Sequence, residues 1–152
     1  MKLIYEDDTG SLNFDKYFAY IQDIEANLPE GVFRYAAEEE HYDLSSHSSL
    51  HDAWLEYCAY SEPSSGERNE IRSPEVECCF LGPYHDKKLI LGYKGVSAYQ
   101  MNAINTEDGL GDLSVHEFYL NNDNTITHEL SFINGSIITI AFKELEYREE
   151  DI

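Results

Sequence analysis

Residues 75–99 read EVECCFLGPYHDKKLILGYKGVSAY, and this stretch decides the fold. Residues 76–81 are a short apolar run, Gly82-Pro83 breaks it, and residues 89–93 resume it. Two such runs a turn's length apart predict a pair of buried strands folded on each other, because burial on both faces removes the polar alternation of a half-exposed strand. This hairpin is the expected core. Further along the chain, strands are expected at 113–120, 126–133 and 137–142. Asn134-Gly135 between the last two predicts a two-residue type I′ turn, since both residue types tolerate positive φ. The polar stretch 102–112 reads as a connection, and 145–152 as an acidic tail that extends the last strand or frays.

Toward the N-terminus, SLHDAWLEYCAY (49–60) predicts a long strand. Alternation puts Ala53, Leu55, Tyr57 and Ala59 on one face and Trp54, Glu56, Cys58 and Tyr60 on the other, and two largely apolar faces suggest a central position. Residues 61–74, rich in Ser, Pro, Gly and charge, read as an exposed loop. The first third predicts a short edge strand at 3–5, a turn over 7–10, and a helix that starts at Asn13. Phe14, Phe18, Ile21, Ile24 and Leu28 recur at helical spacing, and Pro29 with Gly31 ends the run. In 32–40, Ala and Glu favour helix while Val, Phe and Tyr favour strand, and a short second helix is the preferred reading. The expected fold is α+β and a single domain over 1–152: an antiparallel meander of about six strands packed by one or two N-terminal helices.

Thirty acidic side chains stand against ten basic ones, a formal net charge of −20, alongside twelve tyrosines. The aromatic content separates this chain from disordered acidic ones. Such a field repels nucleic-acid phosphates and anionic lipid and speeds encounter with cationic surfaces, so neither nucleic acid nor membrane is an expected partner. Cys58, Cys78 and Cys79 form no CxxC pair and read as reduced thiols. The opening MKLIYEDDTG has neither the charged and apolar regions of a signal peptide nor the length of a membrane span. A cytoplasmic location is expected.

The sharpest chemical candidates are four histidines each followed by an acid: His51-Asp52, His85-Asp86, His116-Glu117 and His128-Glu129. Imidazole with carboxylate suits a zinc or iron site or general base work, so His51, His85, His116 and His128 are the alternative metal set. Adjacent strand residues point to opposite faces, however, and a structural reading is preferred. With a turn of four residues at 121–124, His116 would face Glu129 and Glu117 would face His128; a turn one residue longer would set Glu117 against Glu129. No GxSxG, HExxH or phosphate loop is present, and TEDGLGD (106–112) reads as an ordinary loop rather than a calcium loop. No cofactor, metal or catalytic activity is expected.

The pieces SLHDAWLEYCAY, FLGPYHDKKLILGYKGVSAY, SVHEFYL and THELSFINGSIITIAF resemble, in this order, a group of small uncharacterised bacterial proteins, with HDAW and YHDKK the most specific parts. In size, acidity and lack of a catalytic signature the chain is also similar to bacterial immunity proteins that neutralise polymorphic or contact-dependent toxins. That similarity implies a cationic protein toxin, a nuclease, as the partner. No residue is carried over from that similarity; by their clustering in the sequence, Glu38, Glu39, Glu40 and Asp43 are the candidate docking charges on this chain, with Tyr35 and Tyr42 as neighbouring aromatics. The rival expectations are a metal-dependent enzyme using the His-acid set and a non-catalytic ligand-binding β-domain.

Overall fold

The computed structural model describes residues 2–152. Their elements are, in chain order, β1 (Tyr5–Glu6), β2 (Leu12–Asn13), α1 (Asp15–Asp23), α2 (Glu30–Ala36), β3 (Trp54–Ser61), β4 (Ser64–Ser65), β5 (Ile71–Arg72), β6 (Glu75–Leu81), β7 (Lys87–Lys94), β8 (Ala98–Asn102), β9 (Leu113–Leu120), β10 (Ile126–Phe132), β11 (Ile137–Phe142) and β12 (Glu144–Asp151). Eight strands form two four-stranded antiparallel sheets, ordered β12-β7-β6-β3 and β8-β11-β10-β9; β1-β2 and β4-β5 are two-stranded ribbons. The fold is mixed, mostly β with few helices, and it has more strands than the six expected.

The sheets are not one meander, because two strand pairs turn a corner together. β7 runs into β8 while its partner β12 follows β11, and the amides of Lys143 and Ser97 donate across the corner to the carbonyls of Lys94 (2.9 Å) and Ala141 (2.8 Å). Strands that switch sheets in this way set two layers against each other with their inner faces filled. The core accordingly draws Val76, Cys78, Phe80, Leu89, Leu91 and Tyr93 from one sheet. Phe118, Ile126, Leu130, Ile138, Ile140 and Phe142 come from the other. Each buried aliphatic or aromatic side chain contributes about 1.5–3 kcal/mol through removal of apolar area from water.

The expected β6/β7 hairpin forms, and six further expectations are corrected. The acidic tail is the ordered edge strand β12, paired with β7 from Glu144 opposite Lys94 to Asp151 opposite Lys87. Inward Leu145 and half-buried Tyr147 anchor it, and α2 lies over it at Gly31, where a Cβ would come within 2.8 Å of the Leu145 carbonyl oxygen. β3 is an edge strand, not a central one, and its register slips between Leu55 and Tyr57. This bulge at Glu56 turns Leu55 and Cys58 to the same inner face, opposite Phe80 and Cys78.

The helical run does not continue to Leu28. The Asn13 side chain accepts from the Asp15 amide (3.0 Å), α1 stops at Asp23, and Pro29 caps the start of α2 instead of closing the first helix. Pro suits a helix start because its fixed φ is already helical. Tyr17 and Ile21, one turn apart, are the fully buried pair of α1, leaving Phe14 and Phe18 half-buried. At the N-terminus, the amides of Leu3 and Ile4 donate to Glu117 Oε1 (2.8 and 2.5 Å), so the ladder of β1 begins only at Tyr5.

Both hairpin turns of the second sheet are three-residue loops closed by a left-handed residue. Asn124 (φ 66°) closes β9/β10, and Gly135 (φ 93°) closes β10/β11 where a two-residue turn was expected. The Asn121 amide donates to the Thr125 carbonyl (2.8 Å) and Leu120 pairs with Ile126, so Glu117 faces Glu129, His116 faces Leu130 and His128 faces Phe118. The reciprocal His-Glu pairs are therefore overturned.

Candidate functional site

After α2 the chain makes a 3-10 turn at Glu39–His41 and a second turn in which Asp43 accepts from the Ser45 amide (2.9 Å) and hydroxyl (2.8 Å). Those bonds hold the Asp43 carboxyl below its ordinary value and keep it charged. The consequence is a segment with two characters. Glu38, Glu39, Glu40 and Asp43 point to solvent, whereas Tyr35 and Tyr42 are each only 3% exposed. The two tyrosines belong to the core and reach the surface only as a small part of a groove lining, Tyr42 in one groove and Tyr35 in another.

Two open grooves flank the segment and divide the expected residues between them. The larger, about 640 Å³, carries Asp15, Glu39 and Asp43, and its apolar and aromatic lining is Leu12, Phe14, Phe18, Tyr42, Leu44 and Tyr84; no Lys or Arg lines it. The smaller, about 490 Å³, carries Glu38, Glu40 and Glu146 beside Tyr147, with Arg34 at its edge. Leu44 and Tyr84, which sequence reasoning did not select, are 54% and 49% exposed, so the larger groove offers apolar surface within a ring of carboxylates. Tyr84 is held in place although it sits in the β6/β7 turn. Its ring stacks on His47 at 4.0 Å, its hydroxyl donates to the Ser45 carbonyl (3.3 Å), and His47 Nδ1 lies 2.6 Å from Asp86.

The four expected histidines do not share a centre. His85 is exposed in the turn with φ 60°, and His51 Nδ1 donates to the Ser114 carbonyl (2.8 Å). His116 and His128 do meet, inside the sandwich, with Nδ1 of the first 3.0 Å from Nε2 of the second. His128 Nδ1 lies 2.7 Å from the Tyr93 hydroxyl, and His116 Nε2 lies 2.9 Å from the His41 carbonyl. Because a carbonyl only accepts, proton positions follow along the whole chain: Tyr93 donates to His128, His128 to His116, and His116 to His41. Both rings are neutral, and burial holds His116 down to about 3 and His128 well below the usual histidine range. Aromatic faces complete the environment: Tyr42 stacks on His116 (4.3 Å), Phe118 on His128 (3.7 Å) and Tyr35 on His41 (3.9 Å).

The acids of these dipeptides lie on the other side of the sheet, as alternation requires. Glu117 is buried under the N-terminal segment, whose two amides it accepts, and burial raises its pKa against the effect of those bonds. Among the described residues no three His, Cys, Asp or Glu side chains gather as metal ligands would. Facing nitrogens at hydrogen-bond distance in a dry interior make a satisfied polar core, which fixes the sheet register and orients α2 and the 38–45 segment. Tyr17 adds a second such link: Tyr42 donates to the Ala36 carbonyl (2.9 Å), and the Tyr17 hydroxyl lies 2.6 Å from that of Tyr42 and accepts from the Phe118 amide (3.3 Å). The buried histidines thus support the acidic segment from beneath.

The chain matches no protein-family model, no curated protein and no solved structure. No helix among the described residues is long and apolar enough to cross a membrane.

Proposed function

We propose that this chain is a non-catalytic, immunity-type protein that binds and neutralises a cationic protein toxin, a nuclease, from the cytoplasm of the producing cell. The observation that carries the reading is the larger groove, in which exposed Leu44 and Tyr84 sit among Asp15, Glu39 and Asp43 with no basic side chain in the lining. An interface of this kind takes its association rate from the field and its residence time from apolar anchors. A nuclease fits as partner because its substrate cleft must be basic to hold phosphates, and an acidic surface with apolar anchors can occupy such a cleft in place of nucleic acid. Glu38 and Glu40 on the adjoining groove extend the same negative face.

The test is titration of the chain against the product of the adjacent gene, with binding and nuclease activity followed together. Stoichiometric loss of nuclease activity, weakened by Leu44→Ala and by Glu39→Lys with Asp43→Lys, is the expected result. Absence of binding to any basic neighbour, or inhibition indifferent to those changes, would overturn the reading and leave the charge as a solubility device.

A further inference from the structure

Cys58 on β3 and Cys78 on β6 are directly opposed in the ladder, and their sulfurs lie 3.0 Å apart. Opposed residues of an antiparallel pair have Cα atoms about 4.5 or 5.5 Å apart, and both spacings fall inside the range that a disulfide spans. The bulge at Glu56 is what turns Cys58 inward to meet its partner. The two sulfurs differ in surroundings: Cys58 is half-buried, whereas Cys78 has no exposure. Cys79, next in the chain, points to the other face of the sheet, where its sulfur lies 3.7 Å from Glu56.

We propose that Cys58 and Cys78 form a redox-active dithiol that closes to a disulfide across β3 and β6 when the protein meets a small-molecule disulfide. Cys58 is the attacking sulfur. Its thiol is pulled down by the hydrogen bond from Cys78, and further by Tyr99, against the opposing effect of burial; Cys78 is pushed up and keeps its proton longer. The Cys58 thiolate attacks one sulfur of the reagent R–S–S–R and releases one RS⁻, leaving a mixed disulfide on Cys58. Cys78 then loses its proton, attacks the Cys58 sulfur and expels the second RS⁻. Two protein thiols are oxidised, one reagent disulfide is reduced to two thiols, and the protons from Cys58 and Cys78 end on the products. Closure ties an edge strand carrying exposed Trp54, Tyr57 and Tyr60 to the centre of its sheet.

The experiment incubates the reduced, folded full chain with oxidised glutathione and follows intact mass, titratable thiols and peptide maps. The expected product has lost the mass of two hydrogens, its thiol count falls from three to one, and the map joins Cys58 to Cys78 with Cys79 free. Its Tm rises by roughly 5–10 °C, because the bond closes the intervening 19-residue hairpin in the unfolded chain. Cys79→Ser should leave this outcome unchanged, and Cys58→Ala should leave a folded chain that forms no internal bond. Persistence of three thiols in excess reagent, a stable glutathione adduct on Cys58 that Cys78 never resolves, or a bond that involves Cys79 would each overturn the proposal.

Discussion

Acid should unfold this protein through its buried imidazoles, and His116→Gln isolates the effect. A histidine whose folded pKa lies below its unfolded value binds its proton more readily in the unfolded chain. Its neutral form therefore supports the fold fully above pH 6.5, and that support is lost as pH falls from 6.5 toward the folded value. For His116 that value is about 3. Such a ring removes about 1.4 kcal/mol per pH unit in this window, so His116 alone removes roughly 2–3 kcal/mol between pH 6.5 and 4.5, and His128 acts in the same direction. That is a large fraction of the whole stability of a small domain. His41, also held low by burial, acts in the same direction, whereas Glu117, held high by burial, acts in the opposite one. Gln at 116 keeps a donor for the His41 carbonyl and does not titrate, so subtracting its stability curve from that of the parent cancels the carboxylates and the global charge. Urea unfolding at a series of pH values should show that difference falling by about 1.4 kcal/mol per unit below pH 6.5. A difference independent of pH would refute the assignment of His116 as buried and neutral.

Three further outcomes follow. Gly31→Ala places a methyl 2.8 Å from a fixed carbonyl oxygen and should cost about 1–3 kcal/mol by urea unfolding, through separation of α2 from β12. Tyr93→Phe removes the donor to His128 and should cost about 1–3 kcal/mol, while Tyr35→Phe should be neutral or stabilising, because Tyr35 carries a buried hydroxyl with no hydrogen-bond partner. Asn124→Ala should lose about 1 kcal/mol and Asn124→Gly should not, since only the first is strained at φ 66°.

The sequence was most readable where burial is complete. β6, β7, β10 and β11 are apolar runs bounded by turn residues, and their positions were evident within a residue or two. β8 and β12 were not, because they are edge strands: AYQMN is mostly exposed, and ELEYREED keeps only Leu145 buried while its charges face water or pair with Lys87. The β9/β10 register turned on one backbone choice. Asn124 in the left-handed region closes a loop in which Leu120 pairs with Ile126 instead of Thr125, which sets Glu117 opposite Glu129 and brings His116 to His128. Composition reveals the acidic segment but not its orientation: Tyr35 and Tyr42 lie near Glu38–Glu40 in the chain, yet both rings support the core. Leu44 and Tyr84 are 40 residues apart and join one groove only through His47, Asp86 and Ser45. The Cys58–Cys78 opposition was hidden likewise, because it depends on the bulge at Glu56.

Association with a basic partner is the proposed role of this chain, and stopped-flow mixing across ionic strength measures it most directly. With a basic product of the adjacent gene, the proposed partner, the on-rate should fall roughly tenfold or more between low and high salt while dissociation changes little. Glu39→Lys with Asp43→Lys should slow association and flatten that salt dependence. Leu44→Ala should instead speed dissociation. An on-rate indifferent to salt and to reversal of Glu39 and Asp43, with dissociation unchanged by Leu44→Ala, would contradict the claim that this groove is the binding surface.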